Sequence, residues 1–222
     1  EATGLPNRRL FAELCAPALE RSRRNGVGCA VLHAEIDRLS SVNDVYGRGQ
    51  GDAVLAGIAQ RLRSCIRSGD LAAANPTAEQ PGLVARLGDN AFSILIVDLD
   101  GQERASVVAQ RLLAAVAQPI TIDAQPLMLS ASIGIAAAPD DGRDPATILK
   151  NADIAMYRAK HQGRNGFQFF SPEATAASLE HLRLESDLRK ALERNEFVLC
   201  FQPILDLATG GVVGVETLLR WR

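Results

Sequence analysis

Arg86-Leu87-Gly88-Asp89-Asn90-Ala91-Phe92 joins two short apolar runs, residues 83–87 and 92–97, which residues 88–91 separate. Its Gly and Asx residues are those a tight turn uses, because they tolerate backbone angles that other side chains resist. The spacing predicts a β-hairpin whose residues 88–91 form an exposed tip. At least part of the sheet is therefore antiparallel, and whatever the side chains of the turn do, they do at the sheet's end.

Upstream, residues 28–36 make an apolar run of strand length, rich in small and β-branched residues, that closes on Glu35 and Asp37. Such a run reads as a buried strand that delivers carboxylates at its C-terminal end. A surface helix is predicted before it over 9–25, with Leu10, Phe11, Leu14 and Ala18 on one face and a stop at Gly26. A second helix is predicted over 52–67 from the face made by Val54, Leu55, Ile58, Leu62, Cys65 and Ile66, with Gly47, Gly49 and Gly51 as loop before it. Residues 71–82 lack periodicity and read as a surface loop.

Beyond the hairpin the pattern predicts a helix over 102–117, a strand over 127–137, a helix over 145–161 and a short strand over 167–170. Asp144 is placed to cap the last of these helices, with Pro145 at its first position. Strand, helix, two hairpin strands, helix, strand, helix is the order of an α+β domain on an antiparallel sheet, ending near residue 171. Residues 173–195 then read as a charge-laced connector helix with Leu179, Leu182, Leu188 and Leu192 as its apolar stripe, and 197–204 and 211–219 as a pair of strands.

Hydrophobic residues make up 47% and charged residues 23%, ordinary globular usage that predicts a packed core. A net charge of -2 gives no general attraction to a nucleic acid polymer or an anionic membrane, so phosphate binding must rest on a few placed residues. Cys15, Cys29, Cys65 and Cys200 show neither C-x-x-C spacing nor a neighbouring His, and read as reduced, mostly buried thiols of a cytoplasmic protein. No apolar run reaches the ~18 to 20 residues that span a bilayer, and no signal-peptide pattern opens the chain. Glu1 in place of Met suggests an excised piece, with room for a sensor or membrane segment upstream.

Several motifs follow one another in a single order: Thr3-Gly4-Leu5-Pro6-Asn7-Arg8, Glu35-Ile36-Asp37 with Asn43-Asp44, Gly47 through Asp52, the 86–92 turn, Ala131-Ser132-Ile133-Gly134-Ile135, and Asn151-Ala152-Asp153 through Lys160-His161-Gln162-Gly163-Arg164-Asn165. Together they resemble the GGDEF family of diguanylate cyclases over the whole first domain. Phe201-Gln202-Pro203-Ile204 followed by Val215-Glu216-Thr217-Leu218-Leu219-Arg220-Trp221 resembles the opening of an EAL domain, with Thr217 where the name-giving Ala stands. The resemblance implies a nucleotidyl-cyclase-like domain with a ferredoxin-like core over 1–171, a linker helix over 172–196 and the N-terminal part of an EAL barrel over 197–222. It also implies a homodimer in which two bound GTP molecules are joined, each 3′-hydroxyl attacking the other's α-phosphate to give cyclic di-GMP and pyrophosphate. Paired Mg²⁺ ions held by carboxylate oxygens serve that chemistry.

Carried over residue by residue, the family's first metal carboxylate falls on Glu35, where Asp is usual, with the Ile36 carbonyl beside it. At the turn, Gly88-Asp89-Asn90-Ala91-Phe92 replaces Gly-Gly-Asp/Glu-Glu-Phe, so that Asn90 stands at the next metal carboxylate and Ala91 at the following acid. Asp89 replaces a Gly where backbone comes close to the nucleotide, and a carboxylate ~4 Å from a phosphate charge repels it by about 4 kcal/mol at an effective dielectric of about 20. Ser40 stands where a phosphate-contacting Lys is common.

Asn43 and Asp52, by contrast, match the positions that read the guanine edge, and Lys160 and Arg164 match the phosphate-binding basic pair. On spacing alone the structural readings are favoured: Asn43 and Asp52 as caps of a helix or turn, Lys160 and Arg164 as solvated charges at a helix C-terminus, Asn90 and Ala91 as turn residues only, and Glu35 as a strand-end acid. The family's product-inhibition motif, Arg-x-x-Asp, would fall on Glu79 and Gly82 and is missing there, while Arg67-Ser68-Gly69-Asp70 carries the pattern farther upstream. In the EAL part, Glu216 matches a metal-binding Glu, Arg220 a substrate-phosphate contact and Gln202 a residue lining the site.

The expected protein is thus a cyclic-di-GMP signalling protein of GGDEF-EAL type. Its GGDEF domain has weak or absent Mg²⁺ binding and no cyclase activity, and serves the downstream EAL domain as a GTP-binding or dimerisation module. A weakly active diguanylate cyclase and a nucleotide-free protein-interaction platform remain the alternatives.

Overall fold

The computed structural model describes residues 3–66, 83–99, 101–123, 125–174, 184, 187–188 and 190–222. The expected loop at 71–82, the Arg67-Ser68-Gly69-Asp70 motif, and Leu179 and Leu182 of the expected connector lie outside the described residues. Two compact units are present, Glu1–Thr175 and Ala176–Arg222.

The first unit is built on β1 (Gly28–Ile36), which is apolar on both faces and takes the centre of a five-stranded sheet. Its neighbours are β3 (Ala91–Leu99) and β6 (Ala131–Ala138), both antiparallel to it, with β2 (Leu83–Arg86) and β7 (Gly166–Phe169) at the edges. Ala30, Leu32, Ala34 and Ile36 face a core shared with α3 (Arg48–Cys65) and α4 (Gln102–Val116). Cys29 and Val31 face a second core shared with α1 (Arg8–Asn25) and α5 (Pro145–His161). Alternation along one strand thus buries both its faces, which only a sheet covered by helices on both sides provides.

α5 lies close on β6 because Gly134 has no side chain. A Cβ there would sit 1.9 Å from the Ala152 carbonyl oxygen and 2.1 Å from the Met156 amide nitrogen. The helix starts as its sequence predicts: Asp144 Oδ1 accepts from the Thr147 amide at 2.9 Å and Oδ2 from its hydroxyl at 2.7 Å, with Pro145 opening the first turn.

The α+β class is as expected, but the sheet is mixed. β7 runs parallel to β6, because α5 carries the chain back across the sheet before β7 joins it. α2 (Leu39–Tyr46) was not legible, since Ser, Val, Asn and Asp are poor helix formers and Arg38, at φ 57°, gives no side-chain cap. Burial of Leu39 and Val42 holds it. Gly49 and Gly51 belong to the first turns of α3 and not to a loop; the break between the helices is at Gly47, with φ 82°. The strand expected over 127–137 is divided, Gln125–Leu127 (β5) pairing with Ile120–Ile122 (β4) in a small separate hairpin.

In the second unit β8 (Phe197–Leu205) and β9 (Val212–Trp221) form an antiparallel ribbon. Asp206 fixes its turn, accepting from the Ala208 and Thr209 amides at 2.9 and 2.8 Å and from the Thr209 hydroxyl at 3.0 Å, and these bonds lower its pKa. Of the expected connector, residues 172–174, 184, 187–188 and 190–193 are helical, and Leu188 and Leu192 are exposed.

Cys15 and Cys29 are buried, and burial pushes their thiols up to about 12 and about 11. Cys65 is half-buried, and Cys200 departs from expectation in being exposed. No helix among the described residues is long and apolar enough to cross a membrane.

Candidate functional site

The C-terminal end of β1 meets the 87–91 turn on one side and the start of β6 on the other. Glu35 stands opposite Ala91 of β3 and Ser132 of β6. Residues directly opposite in an antiparallel pair share a face, so Glu35 and Ala91 point to the same side, the side covered by α5.

Asn90 joins the turn to this strand end twice. Its backbone carbonyl accepts from the Ile36 amide at 3.0 Å. Its side-chain Nδ2 donates to Glu35 Oε1 at 2.8 Å and to the Ile36 carbonyl at 3.3 Å. Both of those partners are acceptors only, which fixes the amide with its nitrogen inward. Lys160, in the last turn of α5, places Nζ 2.6 Å from the same Glu35 Oε1, with both side chains about three-quarters buried. The two residues are 125 positions apart in sequence, and Gly134 is what lets α5 come near enough for the contact.

Asp37 ties the remaining strands together just past β1. It is buried, and accepts from the Ser130 hydroxyl at 2.7 Å, the Ser132 hydroxyl at 2.8 Å and the Asn165 amide at 3.4 Å. The third bond holds the turn after α5, where Gly163, Arg164 and Asn165 all take positive φ (114°, 62° and 46°). Consecutive left-handed residues other than Gly are uncommon. Here they leave Arg164 exposed, its amide bonded to the Ala159 carbonyl at 3.1 Å.

Asn43 and Asp52 lie on α2 and α3. Asn43 is half-buried against Gly51, where a Cβ would come 1.8 Å from Asn43 Oδ1, so the glycine makes room for the amide. Asp52 is exposed, with Arg86 Nη2 4.0 Å from its Oδ1. Arg86 was not singled out from sequence, yet its Nε donates to the Gly88 carbonyl at 3.1 Å and its Nη2 to the Asp89 carbonyl at 2.8 Å. One guanidinium thus braces the turn and faces Asp52. Asp89 itself is exposed.

Two residues before Glu35 on β1, buried His33 puts Nδ1 2.7 Å from the Ser93 hydroxyl and Nε2 3.7 Å from Asp153 of α5. Desolvation holds its imidazole below the ordinary range, against the pull of Asp153. In the second unit Gln202 and Glu216 are direct partners across the ribbon, and Arg220, four residues on, shares the face of Glu216.

The family model described as Diguanylate cyclase, GGDEF domain matches residues 1–166. The chain belongs to the GGDEF family. An EAL domain model matches residues 185–222.

Among curated relatives of this GGDEF chain, MucR of Pseudomonas aeruginosa, a bifunctional diguanylate cyclase/cyclic di-GMP phosphodiesterase, is 39% identical over 219 residues, 99% of this chain and 30% of MucR. NbdA of the same organism, a cyclic di-GMP phosphodiesterase, is 36% identical over 220 residues, 99% of this chain and 26% of NbdA. The chain thus spans less than a third of the length of either relative. Among solved structures, the GGDEF domain of TpbB (YfiN) from P. aeruginosa superposes with a TM-score of 0.72 at 32% identity, covering 81% of this chain and 98% of that one.

GGDEF domains generally use Mg²⁺, and the residues present here do not fit that ion. A hard cation needs converging oxygens at about 2.0 to 2.1 Å. Glu35 Oε1 and the Ile36 carbonyl already receive the N–H groups of one amide, and an ammonium lies on the first of them. No group of three or more His, Cys, Asp or Glu is placed to hold a metal among the described residues.

Proposed function

We propose that the GGDEF domain of this chain is a catalytically silent nucleotide-binding module within a cyclic-di-GMP signalling protein of GGDEF-EAL type. Residues 1–171 form the module, 172–196 a linker and 197–222 the first part of the EAL domain. The observation that carries the reading is the Asn90 amide bonded to both Glu35 and Ile36. It stands where a cyclase needs a metal-binding acid, so the ions that would activate a 3′-hydroxyl have no seat. Ala91 removes the second acid from the same turn, and Asp89 adds a charge where backbone should approach the phosphates.

The opposite side of the site supports retention of ligand. Asn43 keeps a made-to-fit place against Gly51, and exposed Asp52 has acceptor oxygens free to take the guanine N–H donors. Lys160 and Arg164 supply positive charge for phosphates. GTP or cyclic di-GMP is the ligand class, a homodimer in the cytoplasm the setting, and the EAL domain the partner that responds. Glu216, with Gln202 opposite and Arg220 on its face, is the metal-binding acid assigned to the EAL part.

The test is a cyclase assay with GTP and either Mg²⁺ or Mn²⁺, alongside a GTP titration. Little or no cyclic di-GMP with measurable GTP binding is expected. Turnover equal to that of an intact-signature domain would replace this reading by an active cyclase, and no GTP binding at all would replace it by an interaction platform.

A further inference from the structure

We propose that Asn90 and Lys160 together take the place of a divalent cation at the end of β1, so that this site holds nucleotide phosphates without metal. The proposal rests on the reading that the domain binds a nucleotide, and it adds how the phosphates are held.

Charge is the first ground. A site with acids at both positions 35 and 90 would carry two negative charges and would need a dication to bring phosphates near. Here one carboxylate faces one ammonium at 2.6 Å, and the second position is a neutral amide. The end of the strand is balanced by the chain's own groups.

Geometry is the second. The amide nitrogen of Asn90 has no lone pair to offer a cation, and both its hydrogens are spent on Glu35 and Ile36. Turning the amide over would set Oδ1 against the Glu35 carboxylate and lose both bonds.

Lys160 is the third. Its ammonium has three N–H donors and spends one on Glu35, while about a quarter of its side chain remains exposed. The free donors can bond a phosphate oxygen while the first stays on the carboxylate. The ammonium then bridges carboxylate and phosphate, the connection that a metal ion makes elsewhere. Arg164, exposed on the turn that Asp37 holds, is a second cation for the same phosphates.

The experiment has two arms on the full chain. In the first, Mn²⁺ is titrated into nucleotide-free protein and free ion is followed by electron paramagnetic resonance, with thermal unfolding measured in parallel, for the original protein and Asn90→Asp. Both proteins carry Glu216→Ala, so that the acid assigned to the EAL part takes no ion; the one with Asn90 should leave the free-ion signal and its melting temperature unchanged, and the one with Asn90→Asp should bind the ion and melt higher with it. Equal Mn²⁺ binding by both, or none by either, overturns the proposal, because the amide would not be what excludes the ion.

In the second arm GTP affinity is measured in Mg²⁺ and in EDTA for the original protein and Lys160→Gln. The original should bind within about twofold in the two buffers, and Lys160→Gln should lose about tenfold or more in both. Loss of binding in EDTA, or an unchanged affinity in Lys160→Gln, overturns the proposal and leaves nucleotide binding intact. Absence of GTP binding in either buffer overturns the nucleotide reading, and with it the phosphate bridge. The first arm still decides whether the amide excludes metal, and it does not require Asn90→Asp to be as stable as the original, only folded enough to show a cooperative melt.

Discussion

The two ends of the candidate site differ in how their polar groups are spent. Around Glu35, the carboxylate, the Ile36 carbonyl, the Asn90 amide and the Lys160 ammonium are bonded to one another. Around Asp52, the carboxylate is exposed, and the Arg86 guanidinium stands 4.0 Å away. A group already satisfied inside the protein gives little to a ligand, because a new bond must replace an old one; an exposed acceptor exchanges only water. The Glu35 end is bonded within the protein, and the Asp52 end is open to solvent.

That contrast breaks most completely if the turn is repaired. Asp89→Gly, Asn90→Asp and Ala91→Glu together place two acids beside Glu35, one of them directly across the sheet from it, with Lys160 as the cation facing them. Without metal the triple variant should unfold at lower urea, by about 3 kcal/mol. Its GTP affinity should rise about tenfold or more on adding Mg²⁺, a response the original lacks. An equal metal response in the two, with both folded, would shift the limiting defect to Glu35 and Ser40.

Asp37→Ala probes the bonded end without touching charge balance at Glu35. The Ser130 and Ser132 hydroxyls lose their acceptor, and a loss of about 2 kcal/mol is expected in urea unfolding. A change under ~0.5 kcal/mol would mean that the serines find other partners.

At the open end Asp52→Ala should weaken GTP about tenfold with stability almost unchanged, as removal of a charged hydrogen-bond acceptor does. Gly51→Ala should weaken it by a similar factor through displaced Asn43, since the added methyl would land on the amide oxygen. Unchanged affinity in both would mean that neither residue touches the base.

The smallest effect is a pH dependence from His33. Its folded-state pKa lies below the unfolded value of about 6.5, so below that pH the unfolded chain binds the extra proton and stability falls. The slope cannot exceed about 1.4 kcal/mol per pH unit for one group. His33→Gln should flatten the curve between pH 6.5 and 5.5 when thermal or urea unfolding is followed across that range.

Local signals made much of the fold legible. β1 reads directly from its apolar run, and α5 from Asp144 and Pro145. What sequence hid is whatever depends on a distant partner. α2 lacks a cap and good helix formers, and only burial of Leu39 and Val42 makes it a helix. Gly49 and Gly51 look like loop until Asn43 is seen pressed against one of them. Asn90 read as a turn residue or a lost acid, whereas its amide also ties the turn to β1, and Lys160 read as a phosphate contact with no hint that Glu35 already holds it. Both contacts join residues from different strands and helices, for which a one-dimensional pattern has no period.

The turn's main chain is held by bonds that ignore the identity of side chain 90: the Ile36 amide to the Asn90 carbonyl, and Leu87 to Ala91 across the turn at 2.9 Å. Asn and Asp have the same shape. Exchange between acid and amide here therefore leaves the hairpin's main-chain bonds in place, and what it changes is the charge beside Glu35. A change between acid and amide at position 90 therefore alters the chemistry of the turn on a backbone whose bonds do not depend on it.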